Sequence, residues 1–179
     1  MAPIEIIKKY YQEGTELYKI LLEHSFSVMD KSLSIAQIHP EMHLDKTFIY
    51  EAAMLHDIGI FKTDAIEIYC YGKFPYICHG YLGSDLLREE GFPRHALVCE
   101  RHTGTGISLE NIIKNNLPIP KRDMLPESQE EQLICFADKF YSKTHPQKEK
   151  SIDSIRKNLS KHGEDSVKKF NKWCELFIG

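Results

Sequence analysis

Three helical segments of this 179-residue chain each carry a strongly polar side chain where the apolar pattern demands burial. Leu17, Leu21, Val28 and Ile35 recur at helical spacing, and His24 falls on the same stripe. The run EAAMLHDIGIFK, residues 51–62, sets His56 and Asp57 side by side at the end of an apolar stretch. In EQLICFADKFY, Asp138 follows Ile134 by four and precedes Tyr141 by three. Each has an ordinary explanation alone: a hydrogen-bonded core histidine, a helix C-terminus that suits an imidazole, a buried cap or ion pair. Together they ask three helices to bury unexplained polar groups, and an unpartnered buried carboxylate costs several kcal/mol. One divalent cation answers all three, since imidazole and carboxylate suit Zn, Mn, Fe, Co or Ni.

The rest of the chain reads as helix as well. Pro3 opens a short helix that Gly14 ends, and Thr15 caps a long second one. Asp45 caps the helix running to His56-Asp57, where Gly59 is expected to let the backbone turn away. Residues 63–78 are rich in aromatics without a helical period, and are expected to form an ordered loop with one short turn. His79 starts a helix closed by Gly91, Pro93 opens the next through His102, and Ser108 caps a short one. A strong helix is expected from Pro126 to about Ser142, then a polar linker and two helices split by Gly163. No segment alternates with period two over a useful length. The fold class is therefore all-α, with residues 1–145 as the main domain and 146–179 as a helical extension packed on it.

His79 and His102 sit at a helix start and a helix end beside glycines. His95 shares a face with Cys99 and His102 but follows Phe92-Pro93-Arg94, which points it outward; His39, His43, His145 and His162 lie in polar breaks and read as surface residues. Five cysteines without a C-x-x-C pair fit reduced thiols in a cytoplasmic protein. The N-terminus resembles neither a signal peptide nor a membrane span. A formal charge of -3 argues against general nucleic-acid binding.

The series His24, His56-Asp57, Asp138, carried by LLEHS, AAMLHDIG and ICFADK, resembles the H…HD…D signature of the HD-domain metal-dependent phosphohydrolases across about residues 17–142. The additional CHGYLGSDLLREEGFP and CERHTGTGIS are similar to the multi-histidine subset that includes HD-GYP phosphodiesterases and HD-type diadenosine-tetraphosphate hydrolases. The resemblance implies a compact helical bundle and one or two divalent ions. His24, His56, Asp57 and Asp138 would hold the first, and Asp57 with His79 and His102 the second. It implies metal-activated water attacking a phosphate ester or anhydride of a small nucleotide-like substrate. It also leaves open a di-iron oxygenase or a nucleotide sensor. Ile60 stands where HD-GYP enzymes carry a lysine, so Lys62, Arg101 and Lys139 are the candidate catalytic cations beside Asp57, with Lys143 near in sequence. The HTGTG turn could offer backbone N–H groups to a phosphate. Tyr69, Tyr71, Phe74 and Tyr76 suit either base stacking or core packing. Oligomeric state is left open, a homodimer being one option.

Overall fold

Five helices begin at a side chain that does the capping. Thr15, Asp45, Ser108, Ser128 and Ser151 each accept a hydrogen bond from the N–H three residues on, at 3.0 to 3.3 Å. Such bonds satisfy donors that a helix start otherwise leaves orphaned. In the computed structural model, which describes residues 2–179, they open α2 (Glu16–Ile38), α3 (Lys46–Leu55), α6 (Leu109–Lys114), α7 (Gln129–Asp138) and α8 (Ile152–Ser160). Prolines start α1 (Pro3–Tyr10) and α5 (Pro93–Arg101), while α4 (His79–Glu89) and α9 (Glu164–Ile178) complete the all-α fold. None of these helices is long and apolar enough to cross a membrane.

The helices share one main core. α2 packs along α3, α4 and α5 form a helical hairpin, and α7 lies against α2, α3 and α5. Phe136 on α7 meets Phe170 and Phe177 of α9 with ring centroids 5.3 and 5.4 Å apart, so the C-terminal helices bury their apolar face on the helix that ends in Asp138. All five cysteines are free, and Cys174 alone is only partly buried.

Two boundaries depart from expectation. α7 starts at Gln129 because Ser128 caps it, and it stops at Asp138, after which the N–H groups of Lys139 and Phe140 bond to carbonyls three residues back. The chain then turns instead of running on to Ser142. Residues 63–78 hold several 3-10 turns and a small antiparallel pair, β1 (Asp64–Ala65) with β2 (Cys70–Tyr71), in the register Asp64 to Tyr71 and Ala65 to Cys70. Two-residue strands are too short to show alternation.

Asp45 both caps α3 and pairs with Arg94 at 2.9 Å. Replacing it with alanine is expected to cost about 1 kcal/mol, the usual worth of a cap, as read by chemical unfolding at neutral pH. The hydrogen bond from the Phe48 N–H, helped by Arg94, holds the Asp45 carboxyl below its ordinary value. A depressed carboxyl stabilises the fold above the unfolded-state pKa of about 3.9 and loses that contribution as pH falls through the folded value. The gap between the parent and Asp45→Ala should therefore close on acidification below about pH 4.

Candidate metal centre

Three histidines are aimed by the same local device. The Nδ1 of His56 bonds to the Ala53 carbonyl (2.7 Å), that of His79 to Tyr76 (2.6 Å) and that of His102 to Cys99 (2.7 Å), each three residues back. A ring that donates its Nδ1–H to a carbonyl presents a bare lone pair at Nε2, the form that ligates metals. His56 follows the last turn of α3, His79 opens α4 and His102 caps α5. All three are buried and converge on Asp57, which is itself fully buried.

Asp57 links two groups of donors. Its Oδ2 lies 3.2 Å from His24 Nε2 and 3.1 Å from His56 Nε2, while Asp138 Oδ1 lies 3.0 and 3.5 Å from the same two atoms. Its Oδ1 lies 3.4 Å from His79 Nε2 and 3.3 Å from His102 Nε2. The atoms of each group, His24/His56/Asp57/Asp138 and Asp57/His79/His102, all fall within 4.8 Å of one another.

The donor set fits divalent ions. His79 and His102 face each other Nε2 to Nε2 at 3.0 Å although both have given their Nδ1–H to carbonyls. Two lone pairs at that distance repel unless something positive lies between or beside them. Among the described residues neither Asp57 oxygen nor His56 Nε2 makes a well-aligned hydrogen bond despite complete burial, although the Lys143 ammonium lies 2.6 Å from Asp57 Oδ2. His24 Nδ1 is likewise without a partner, so its tautomer is free to follow what Nε2 meets.

Burial drives the His79 pKa down to about 3, against the pull of Asp57, and burial lowers His102 too; both rings stay neutral and able to ligate. Burial also opposes a charge on His56, but Asp57 and Asp138 override it and raise that group to about 9, so without a cation its Nε2 holds a proton that a metal ion would displace. For Asp57, burial favours the neutral acid, and Lys143 and His56 outweigh it, holding the carboxyl well below the usual range. The two carboxylates thus draw positive charge to this spot.

The candidate cations are placed unequally. Lys143 reaches Asp57 Oδ2 at 2.6 Å and lies 5.6 Å from the centre of the Tyr76 ring. Lys139 donates to Asp138 Oδ2 (2.8 Å) and to the His102 carbonyl (3.1 Å). Arg101 instead turns to α7, bonding Glu131 at 2.9 Å with Glu127 at 3.3 Å. Lys62 lies half-buried in the turn after the motif, where its carbonyl accepts from the N–H groups of Lys73 and Phe74. Lys143 comes close only because the chain reverses after α7, which its distance along the sequence does not reveal.

Gly59 has φ -83°, so the left-handed freedom expected of it is not used. What it supplies is closeness: a Cβ there would sit 2.3 Å from the His79 carbonyl oxygen and 2.5 Å from the Gly83 nitrogen. Glycine lets the segment after Asp57 lie directly on α4.

His95 belongs to neither donor group; it is held by Glu51 at 3.0 Å and packs between Phe48 and Phe92. In HTGTG, the Gly106 N–H closes on the Thr103 carbonyl, as in an ordinary turn. Tyr76 stacks on His79 at 4.6 Å, whereas Tyr69, Tyr71 and Phe74 are exposed. A cavity of about 510 Å³ lies between the 105–114 region and the start of α9 and includes none of the six clustered donors. A smaller one, about 190 Å³, adjoins Asp138.

A family model for the HD domain matches residues 21–143. An uncharacterized protein of Methanocaldococcus jannaschii is 33% identical over 144 residues, covering 79% of this chain and 76% of that protein. A tRNA (cytidine(56)-2'-O)-methyltransferase of Thermoplasma volcanium is 28% identical over 171 residues, covering 94% of this chain and 45% of the relative. Its counterpart from Picrophilus torridus is 30% identical over 124 residues, covering 69% and 32% respectively. The chain thus spans less than half the length of either methyltransferase. No solved structure matches.

Proposed function

This chain belongs to the HD domain family, and from that premise we propose that it is a divalent-metal-dependent phosphohydrolase cleaving a phosphate ester or anhydride of a nucleotide-like substrate. The observation that carries the reading is the placement of Asp57, whose two oxygens face two separate donor groups in a buried pocket. His24, His56, Asp57 and Asp138 would hold one ion, and Asp57, His79 and His102 a second. Held there, such ions would lower the pKa of a water from about 15.7 towards 7 and would neutralise charge on phosphoryl oxygens.

The chain's own residues supply orientation. The bonds from Nδ1 to the carbonyls of Ala53, Tyr76 and Cys99 keep three ligands aimed, and their burial keeps bulk water from competing. Lys139 and Lys143 are the cations positioned to meet phosphoryl oxygens, because both already approach the ligand carboxylates. Arg101 has a structural role in this reading, tying α5 to α7 through Glu131.

The purified chain, supplied with Mn²⁺ or Ni²⁺, is expected to release phosphate or nucleoside from a panel of nucleotides. The tRNA methyltransferase names of two relatives are a reason to include RNA-derived nucleotides. Metal analysis should find two ions per chain and one in His79→Ala. A single ion in both proteins overturns the dinuclear arrangement. Tight nucleotide binding without turnover under any metal would favour a sensor, and oxygen consumption by iron-loaded protein without phosphate release an oxygenase.

A further inference from the structure

Beside Asp138 lies a half-open cavity of about 190 Å³ lined by Lys139, Lys143, Lys150 and Asn158, with Ile155 and Leu159 as apolar wall. A water occupies about 30 Å³ of liquid, so the space holds several waters or a phosphoryl group. Lys139 and Lys143 each lean on a carboxylate of the metal centre, Asp138 and Asp57. Lys150 differs. Its ammonium donates to the Tyr141 carbonyl at 3.3 Å, and no carboxylate among the described residues pairs with it. The neighbouring acid, Glu149, is turned away to Lys31 (2.6 Å) and the Tyr141 hydroxyl. Burial pushes the Lys150 ammonium below its ordinary value, and Lys139 and Lys143 add to that against the pull of Asp138. Of the three ammonium groups lining the cavity, Lys139 and Lys143 are paired with Asp138 and Asp57, and Lys150 is left over. Asp138 faces His24 and His56 through Oδ1 and Lys139 through Oδ2, so it has no oxygen left for Lys150. The cavity is short of negative charge, and charge-assisted bonds to phosphate oxygens would satisfy it.

We infer that this cavity seats a second phosphoryl group of the substrate, so that the preferred substrate carries at least two phosphoryl groups, as a nucleoside di- or triphosphate does. The inference rests on the phosphohydrolase reading and narrows its substrate class. Lys150 and Asn158 lie beyond residues 21–143, the part matched by the family model. The subsite thus joins residues of the matched part to residues beyond it, with helix α8 forming one wall.

The test uses the full chain loaded with Mn²⁺ and two non-hydrolysable probes, methylphosphonate and methylenediphosphonate, titrated calorimetrically. The diphosphonate is expected to bind about tenfold more tightly, the worth of one good charge-assisted contact. Lys150→Gln should erase most of that advantage while leaving methylphosphonate affinity within about twofold, since a distal cation contacts only the second group. Asn158→Leu, on another element, should weaken the diphosphonate selectively as well, and circular dichroism melts establish that both variants fold. Equal affinity for the two probes, or equal loss of both in Lys150→Gln, overturns the inference. Mono- and diphosphate esters turned over with the same KM would sink the subsite and leave the hydrolase reading intact. Lys150-dependent diphosphonate binding without any turnover would do the reverse.

Discussion

Asp57→Ala is expected to remove both metal binding and phosphate release, taking bound metal to at most one weakly held ion and turnover to background. Both donor groups meet at this carboxylate, so its loss leaves three ligands on one side and two histidines on the other. Two imidazoles do not make a competent site for a divalent ion that wants four or more donors. The substitution also strands Lys143, whose ammonium lies 2.6 Å from the Asp57 oxygen. Burial opposes the charge on Lys143, and Asp57 is the main group that sustains it. Breaking a buried pair from one side costs about 3–5 kcal/mol, so the metal-free variant should also unfold at lower denaturant. Pairing the change with Lys143→Met separates the two effects. The double variant should regain much of the stability and none of the metal. Retention of two ions or measurable turnover in Asp57→Ala would contradict the shared-ligand arrangement.

Gly59→Ala is expected to damage the protein nearly as much, though the residue itself offers no donor atom to a metal. The added Cβ meets backbone, the His79 carbonyl at 2.3 Å and the Gly83 nitrogen at 2.5 Å, and backbone cannot rotate away. Overpacking costs about 1–3 kcal/mol and more where nothing yields. At about 2–4 °C per kcal/mol for a chain of this size, a 3 kcal/mol loss lowers the melting temperature by roughly 6–12 °C. The displacement falls on the start of α4, so His79 should shift from Asp57 and the second ion should be lost before the first. Gly14→Ala is the control, because a Cβ there meets nothing within 4 Å, although its φ of +82° carries its own modest strain. A Gly59→Ala protein that melts with the parent and holds two ions would refute this account of the glycine.

How far these features were legible follows from the range over which each is encoded. Caps at Thr15, Asp45 and Ser108 are local, and so is the seven-residue step from Leu17 to His24, which places the histidine on the stripe of Leu21 and Val28. The signals that separate His102 from His95 are also local, the turn glycines after His102 and the first-turn position of His95 after Pro93. At Gly59 the sequence suggests backbone freedom, whereas the need comes from α4, which arrives twenty residues later. Lys143 and Lys150 depend on a reversal after Asp138 that a continuous helical period conceals. Arg101 adjoins a ligand in sequence, yet successive residues on a helix point about 100° apart, and that rotation carries it to Glu131.

The three bonds from ring nitrogen to the carbonyl three residues back have a consequence for how the centre is assembled. Each imidazole takes its bearing from its own helical turn, not from its neighbours across the pocket. The arms therefore arrive already trained, and folding has only to bring the ends of α3, α4 and α5 into register. Ligand distances tolerate about 0.2 Å. Affinity for the ion is then a sensitive gauge of helix docking, and changes far from the pocket that tilt one arm should register in metal retention before they register in the fold.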